Sequence, residues 1–273
     1  MDPIVSKETE DKGVLSFTLQ NVNVSVANAL RRTMLSNIPC VVFRTAPYAE
    51  NRVDITVNTS PMNNELFKQR LSCVPIHISD PSFPIQNYQI ELDVTNDTDS
   101  AIYATTKDLK IKDLQSGVYV SEAETSKIFP PDPITGDYIT LLRLRQRLSD
   151  EIPGQKISLT ATLDIGRASE DGAFNVVSCA TYGATPDQIA ARDAWQVKEK
   201  QLQSEGKEPD DIAFAKKDWM LLDAQRYITP DSFDFQVETV GQFTNRDIVF
   251  RAAHILIDGV NRFKNTLSET QET

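Results

Sequence analysis

The chain has 273 residues, of which 40% are apolar and 25% are charged, and these proportions are ordinary for a globular protein. Acidic residues outnumber lysine and arginine by 39 to 28, so the formal net charge is −11. This charge disfavours binding to nucleic acid over a broad surface, because phosphate groups would be repelled. No apolar run reaches the length of about 18 residues that a membrane helix needs, so we expect no membrane attachment.

Residues that could carry chemistry are few and far apart. Cys40, Cys73 and Cys179 are odd in number and widely separated, which is typical of reduced thiols in an intracellular compartment. His77 and His254 fit no metal-ligand spacing, and no phosphate-binding loop or nucleophile elbow occurs. The sequence therefore predicts no catalytic residue, no metal ion and no cofactor.

Residues 21–40 predict an amphipathic helix that Ser25 caps and that ends at Ile38, because Pro39 disfavours helical backbone before it. Its apolar residues recur every four positions and form one stripe: Val26, Leu30, Met34 and Ile38. Arg31 and Arg32 lie off this stripe. Periodicity alone is equally consistent with two solvated arginines on any surface helix.

A short helix is expected within residues 58–76, capped by Asn63 or Asn64 and followed by extended backbone before Pro75. Core packing is the ordinary interpretation of this segment.

The middle of the chain, residues 78–181, is mostly β in pattern. A strand over Tyr88–Val94 is predicted to pair with Ile102–Thr106 across a polar turn. Residues 185–227 then predict a helical hairpin, with Thr185 as the first cap. The hairpin is either a solvated surface feature or a docking surface for another protein.

A strand over 232–243 precedes a long final helix. Apolar residues of this helix follow steps of four and three, as in a helix packed lengthwise against another: Val249, Ala253, Leu256, Val260, Phe263 and Leu267. The spacing therefore predicts a pairing surface on this helix. The polar segments 1–12 and 264–273 are expected to be flexible.

Three strings in this order resemble the RNA polymerase alpha family, which includes the bacterial alpha amino-terminal domain, the archaeal D subunit and the third-largest subunit of eukaryotic RNA polymerase II. They are Asn28-Ala29-Leu30-Arg31-Arg32, then Arg70-Leu71 followed by Pro75, and Val237-Glu238-Thr239-Val240-Gly241. The resemblance covers about residues 15–263, nearly the whole chain.

The resemblance implies an α+β fold with a discontinuous dimerisation domain, formed by residues 13–40 and 228–263. A mostly β domain is inserted between these segments, over residues 41–227.

The implied function is that of a non-catalytic assembly subunit of a multisubunit DNA-dependent RNA polymerase. The chain would pair with a smaller alpha-like subunit, and the pair would be the platform for the second-largest and largest subunits. Pairing is assigned to Val26, Leu30, Met34, Val249, Ala253, Leu256, Val260 and Phe263. Contact with the large subunits is assigned to Asn28, Arg31, Arg32, Glu65 and Arg70.

One departure from the family concerns metal binding. Several archaeal and eukaryotic members carry a cysteine cluster in the inserted domain, whereas residues 79–178 contain no cysteine or histidine. We therefore expect no zinc or iron–sulfur site, and the departure favours a divergent member, with a viral polymerase as one candidate. Two alternatives stay open: a self-pairing scaffold outside transcription and an enzyme of unrecognised class.

Overall fold

A computed structural model describes residues 2–80, 82–149 and 151–271, and it shows the mixed α and β composition that the sequence predicts. The α-helices are α1 Val24–Ser36, α2 Asn64–Ser72, α3 Glu122–Ile128, α4 Gln188–Ser204, α5 Pro209–Leu221 and α6 Asn245–Gln271. The first six strands are β1 Ile4–Asp11, β2 Val14–Gln20, β3 Cys40–Val42, β4 Val53–Asn58, β5 Tyr88–Thr95 and β6 Ile102–Thr105. The others are β7 Lys110–Asp113, β8 Thr140–Leu144, β9 Lys156–Thr162, β10 Asp164–Gly166, β11 Val177–Pro186 and β12 Ile228–Thr239.

Contacts between residues divide the chain into two compact units, and each unit combines segments that are distant in sequence. The first unit contains residues 1–32 and 179–238, and the second contains residues 33–178 and 239–273.

The first unit is built on a four-stranded sheet with the order β1-β2-β12-β11. β2 and β12 are antiparallel, and their register places Phe17 opposite Phe235. The two rings stack with their centroids 5.0 Å apart, and Tyr182 packs 5.4 Å from Phe235. Because side chains alternate along a strand, the apolar residues of β12 face one side of the sheet together.

A polar network joins buried side chains of the same sheet. The Asp234 carboxylate accepts hydrogen bonds from the hydroxyl groups of Thr18 at 2.6 Å and Thr185 at 3.0 Å. Ser232 donates in turn to Thr185 at 2.8 Å. Thr185 therefore belongs to the sheet, and Asp187 caps α4 instead, with its carboxylate accepting from the backbone N–H of Ala190.

The helical hairpin of the first unit consists of α4 and α5, which ends at Leu221, earlier than expected. Trp195 and Trp219 are buried where the helices meet, with their ring centroids 6.0 Å apart. Lys198 lies over the Trp219 ring at 4.7 Å. Aromatic packing therefore stabilises a hairpin whose outer faces are charged.

Within the segment 1–12 that is expected to be flexible, β1 pairs with β2 from Ile4↔Gln20 to Asp11↔Val14. Its side chains are almost all exposed, so the hydrogen-bonded ladder holds it rather than apolar burial. α6 likewise continues through residue 271 of the tail expected to be flexible, and residues 272 and 273 lie outside the described residues.

The second unit has its core around a sheet with the order β4-β9-β5-β7, joined by the smaller pairs β6-β8 and β10-β3. The predicted hairpin between residues 88–94 and 102–106 is wrong, because β5 pairs with β7 and β9 while β6 pairs with β8. The reason lies in the intervening loop, where the buried Asn96 amide donates to the backbone carbonyls of Ser100 and Leu144.

A tight turn at Gly154 passes against this loop. A Cβ atom on Gly154 would overlap the backbone carbonyl oxygen of Asn96, so no other residue fits without displacing the chain. The Asn96 N–H donates to the Gln155 carbonyl at 2.9 Å, which ties the turn to the loop.

The ends and the buried stripe of α1 differ from expectation. Asn23 rather than Ser25 supplies the cap, because its side chain accepts from the Ser25 backbone N–H at 2.8 Å. The helix ends at Ser36, two residues early. Val26 is 51% exposed while Ala27 is fully buried, so the buried stripe runs through Ala27 instead of Val26.

Candidate assembly surfaces

The long helix α6 presents a wide apolar face to solvent. Ile248 and Ala252, near its start, are fully buried within the chain. Another set of apolar side chains is 51–67% exposed: Phe250, Ile257, Val260, Phe263 and Leu267. Successive residues of an α-helix are about 100° apart around its axis. These five side chains therefore lie on one side of α6, next to the side that carries Ile248 and Ala252. We call them the α6 apolar arc.

The α6 apolar arc overlaps the predicted pairing row only in part. Val260, Phe263 and Leu267 belong to both, whereas Val249, Ala253 and Leu256 are half-buried in this chain. Phe250 and Ile257 were missed by the prediction. The breadth of the apolar pattern was the signal for them, since a helix apolar over more than one stripe must be covered on two sides.

The arginine pair of α1 is placed asymmetrically. The Arg31 guanidinium donates to the Asn28 side-chain oxygen from Nη2 at 3.0 Å and from Nε at 3.3 Å, which fixes its orientation. Arg32 is exposed. Among the predicted pairing residues of this helix, Leu30 and Met34 are buried within the chain.

Helix α2 carries the other two predicted contact residues. Asn63 caps it by accepting from the Leu66 N–H at 2.8 Å. Glu65 and Arg70 are exposed, and the Arg70 Nε donates to the Thr140 backbone carbonyl at 3.1 Å. Buried Phe67 and Leu71 hold the opposite side of the helix in the core, as the ordinary interpretation of this segment expects.

The Val-Glu-Thr-x-Gly string shapes the connection from β12 to α6. Gly241 has a φ of +126°, and a Cβ atom there would lie 3.0 Å from the His77 ring. The Thr239 hydroxyl donates to the Phe243 carbonyl at 2.8 Å. Arg251 of α6 lies 4.3 Å over the Phe243 ring and donates to the Ser79 carbonyl at 2.6 Å. These contacts anchor the first turns of α6, and burial lowers the pKa of His77.

Sequence reasoning also missed an ion network at Arg44, whose side chain is only 11% exposed while its carboxylate partners are 34–58% exposed. Its guanidinium pairs with Asp164 at 2.7 Å, Glu170 at 3.0 Å and Glu50 at 3.4 Å. Burial alone would lower the pKa of Arg44, but the bonds to Glu170 and Asp164 raise it. The network stabilises the β3–β10 region. No local sequence pattern predicts it, because Asp164 and Glu170 are distant from Arg44 in sequence.

In residues 2–80, 82–149 and 151–271, no three His, Cys, Asp or Glu side chains are grouped to hold a metal ion. Burial, with a smaller effect of Glu170, raises the pKa of Cys40 to about 12, so its thiol stays protonated. No helix in that part of the chain is both long and apolar enough to span a membrane. The surfaces described above suit protein pairing.

Comparison with known proteins identifies the family to which this chain belongs. The model of the RNA polymerase Rpb3/Rpb11 dimerisation domain matches residues 16–260. The chain belongs to this family. The predicted resemblance is thereby confirmed, together with the α+β fold class.

Relatives that match over most of their own length agree with this family. The DNA-directed RNA polymerase subunit Rpo3 of Pyrococcus horikoshii is 25% identical, over 96% of each chain. The RPAC1 subunit of RNA polymerases I and III from Saccharomyces cerevisiae is 25% identical over 92% of this chain and 83% of its own. The RNA polymerase II subunit RPB3 of Schizosaccharomyces pombe is 25% identical over 96% of this chain and 86% of its own.

Proposed function

We propose that this chain is the alpha-like, non-catalytic assembly subunit of a multisubunit DNA-directed RNA polymerase. The observation that carries the proposal is the family match over residues 16–260, together with an exposed apolar arc on α6, the final helix of the chain. Relatives that match over more than four fifths of their own length are named as polymerase subunits.

In this proposal, the α6 apolar arc binds a smaller alpha-like subunit. Helix α6 has 27 residues, about 40 Å at 1.5 Å per residue, which is long enough to cross a two-helix interface. Residues 13–40 and 228–263 would make up the pairing part, and 41–227 the inserted part. The match to a dimerisation domain supports this assignment.

The two large subunits would bind elsewhere, at Asn28, Arg31 and Arg32 of α1 and at Glu65 and Arg70 of α2. Planar guanidinium groups suit bidentate pairing with carboxylates at such contacts. Nucleotidyl transfer would belong to the large subunits, and this chain would supply structure inside the cell.

The exposed apolar arc also fits a self-pairing scaffold outside transcription, because a second copy could cover it equally well. The two functions differ in what accompanies the chain when it is captured.

Capture of a tagged copy from its native cells tests the proposal. We expect two large polymerase subunits and one small alpha-like partner in the eluate. Recovery of the chain alone, as a monomer or paired only with itself, would contradict the proposal.

Val260→Asp tests the surface assignment. Val260 is 67% exposed, so the substitution spares this chain's core, whereas Leu256→Asp would also disturb a half-buried site. An unpaired carboxylate buried in the interface costs about 3 kcal/mol or more, so partner recovery should fall at least about a hundredfold. Asn265→Asp, about 140° around the helix, is the matched control. Unchanged size-exclusion profiles for both variants would show that another surface pairs.

A further inference from the structure

Strand β8 and the residue after it present arginine side chains on the outer face of the second unit. Leu142 and Leu144 are buried at 3% and 0% exposure. Arg143 and Arg145 alternate with them and are exposed. Because successive side chains of an extended chain point to opposite faces, both guanidinium groups lie on the solvent side. We call this pair the β8 arginine strip.

The two guanidinium groups of the strip lack partners within the described residues, where neither has a hydrogen bond or an ion pair. Arg147, the next arginine, pairs with Asp99 at 3.2 Å instead. Tyr103 of β6 lies directly opposite Arg143 in the register and is 57% exposed. Two arginines without an acidic partner thus lie near an exposed ring, in a chain whose net charge is −11.

We propose that the β8 arginine strip binds an extended acidic segment of a partner protein. Arg143 and Arg145 are two residues apart on extended backbone, so they are separated by about 7 Å. Alternate side chains of an extended partner segment repeat at the same distance, which lets two carboxylates meet two guanidinium groups. Each such pair forms two parallel charge-assisted hydrogen bonds.

The position of the strip indicates which partner supplies this segment. The Arg70 Nε donates to the carbonyl of Thr140, the first residue of β8, at 3.1 Å. This bond joins the start of β8 to α2, whose exposed residues are assigned to large-subunit contact, and the inference rests on that proposed function. The partner segment belongs to a large polymerase subunit.

The number of charges favours protein over nucleic acid as the occupant. Nucleic-acid binding at physiological salt commonly draws on about 6–10 phosphate contacts, each supplied by a basic or polar group. The strip and Arg70 together offer three arginines, in a unit whose formal charge is negative. Two bidentate carboxylate pairs on Arg143 and Arg145 need no larger surface.

The test captures tagged protein from native cells with both strip residues reversed, Arg143→Glu with Arg145→Glu. Recovery of the large subunits should fall at least about tenfold at 150 mM salt, because like charges then face each other. Recovery of the small alpha-like partner should stay unchanged. Lys216→Glu with Lys217→Glu on α5 makes the same change in net charge at two exposed positions and is the matched control.

A second measurement identifies the partner segment and does not depend on the folding of the reversed variant. Arg143→Lys with Arg145→Lys keeps the charge and allows a carbodiimide to join positions 143 and 145 to nearby carboxylates. We expect cross-links to aspartate or glutamate residues of one large-subunit segment.

The possible results distinguish failure of the proposed function from failure of the strip assignment alone. If the wild-type chain captures no large subunit, the proposed function fails, and this inference fails with it. If wild-type and reversed chains capture large subunits equally, or no large-subunit cross-link forms, only the strip assignment is wrong. Loss of bound nucleic acid from the complex, with subunit recovery unchanged, would assign the strip to nucleic acid and overturn the inference.

Discussion

Arg31 and Arg32 are adjacent in sequence but differ in exposure to solvent. Two hydrogen bonds fix Arg31 on Asn28, whereas Arg32 is exposed at the surface of α1. A side chain at the surface can contribute to a complex without contributing much to the fold of its own chain.

Arg32→Ala should therefore weaken capture of the large subunits while leaving the fold nearly intact. Truncating one partner of a buried charge pair costs roughly 2–5 kcal/mol of binding free energy. Quantitative pull-down measures the loss, and thermal unfolding checks the fold. Arg192→Ala on α4, also exposed, is the control. Equal recovery with Arg32→Ala and wild type would remove Arg32 from the interface.

Gly154 is a residue whose replacement should act on stability alone. A Cβ atom there overlaps the Asn96 backbone, which side-chain rotation cannot relieve. Gly154→Ala should lower the free energy of unfolding by about 3 kcal/mol, at the upper end of typical overpacking costs. Gly172→Ala, where nothing lies within 4 Å of the added atom, is the control in urea titrations. Similar midpoints for both variants would show that the turn relaxes freely.

At the scale of elements, Trp219 is the central packing residue of the α4–α5 hairpin, in contact with the rings of Trp195 and Tyr227. Trp219→Ala should remove the buried contact with Trp195 and cost about 3–5 kcal/mol in the hairpin. Limited proteolysis should then cut residues 188–227 much faster. Phe214→Ala on the same helix removes a side chain that is 67% exposed, so its cleavage rate should match wild type. Equal protection of both variants would mean that the Trp pair does not hold the hairpin.

Periodicity predicted the helices well, and it predicted strand pairing poorly. The buried arc of α6 and the alternation of β12 follow directly from the spacing of apolar residues. The partners of β5 and β6 depend on Asn96, whose two carbonyl acceptors include Leu144, 48 residues away. The Arg44 network likewise joins positions 120 residues apart. Local sequence patterns do not predict hydrogen bonds between residues so far apart in the chain.

The sequence predicted which helix carries the candidate pairing surface, but it did not predict which side chains of that helix are exposed. Apolar residues spaced by three and four predict that α6 is the pairing helix of our proposal. The exposed side of α6 is decided only by the packing of Ile248 and Ala252 into the chain's own core. The strings shared with the family came from resemblance, and the match over residues 16–260 confirms the family. The assignments of single residues to partners stay predictions.

For the whole molecule, we expect no stoichiometric zinc or iron. The 100 residues from 79 to 178 have no cysteine or histidine, and structural zinc sites in proteins use about four such ligands. Elemental analysis of the purified chain should find far less than one metal atom per molecule. About one atom per chain, lost on Cys73→Ala or Cys179→Ala, would contradict this expectation.

The sheet of the first unit cannot be completed until late in synthesis, because its neighbouring strands β2 and β12 are far apart in the sequence. β2 ends at Gln20, and β12, which covers one of its edges, begins at Ile228. A ribosome adds roughly 5–20 residues per second, so the intervening 200 or so residues take about 10–40 s. Throughout that interval the β1–β2 hairpin has an open edge and exposes Leu15, Phe17 and Leu19. The nascent chain is therefore most prone to aggregation before β12 emerges, and chaperones that bind extended apolar segments would act on it during that interval.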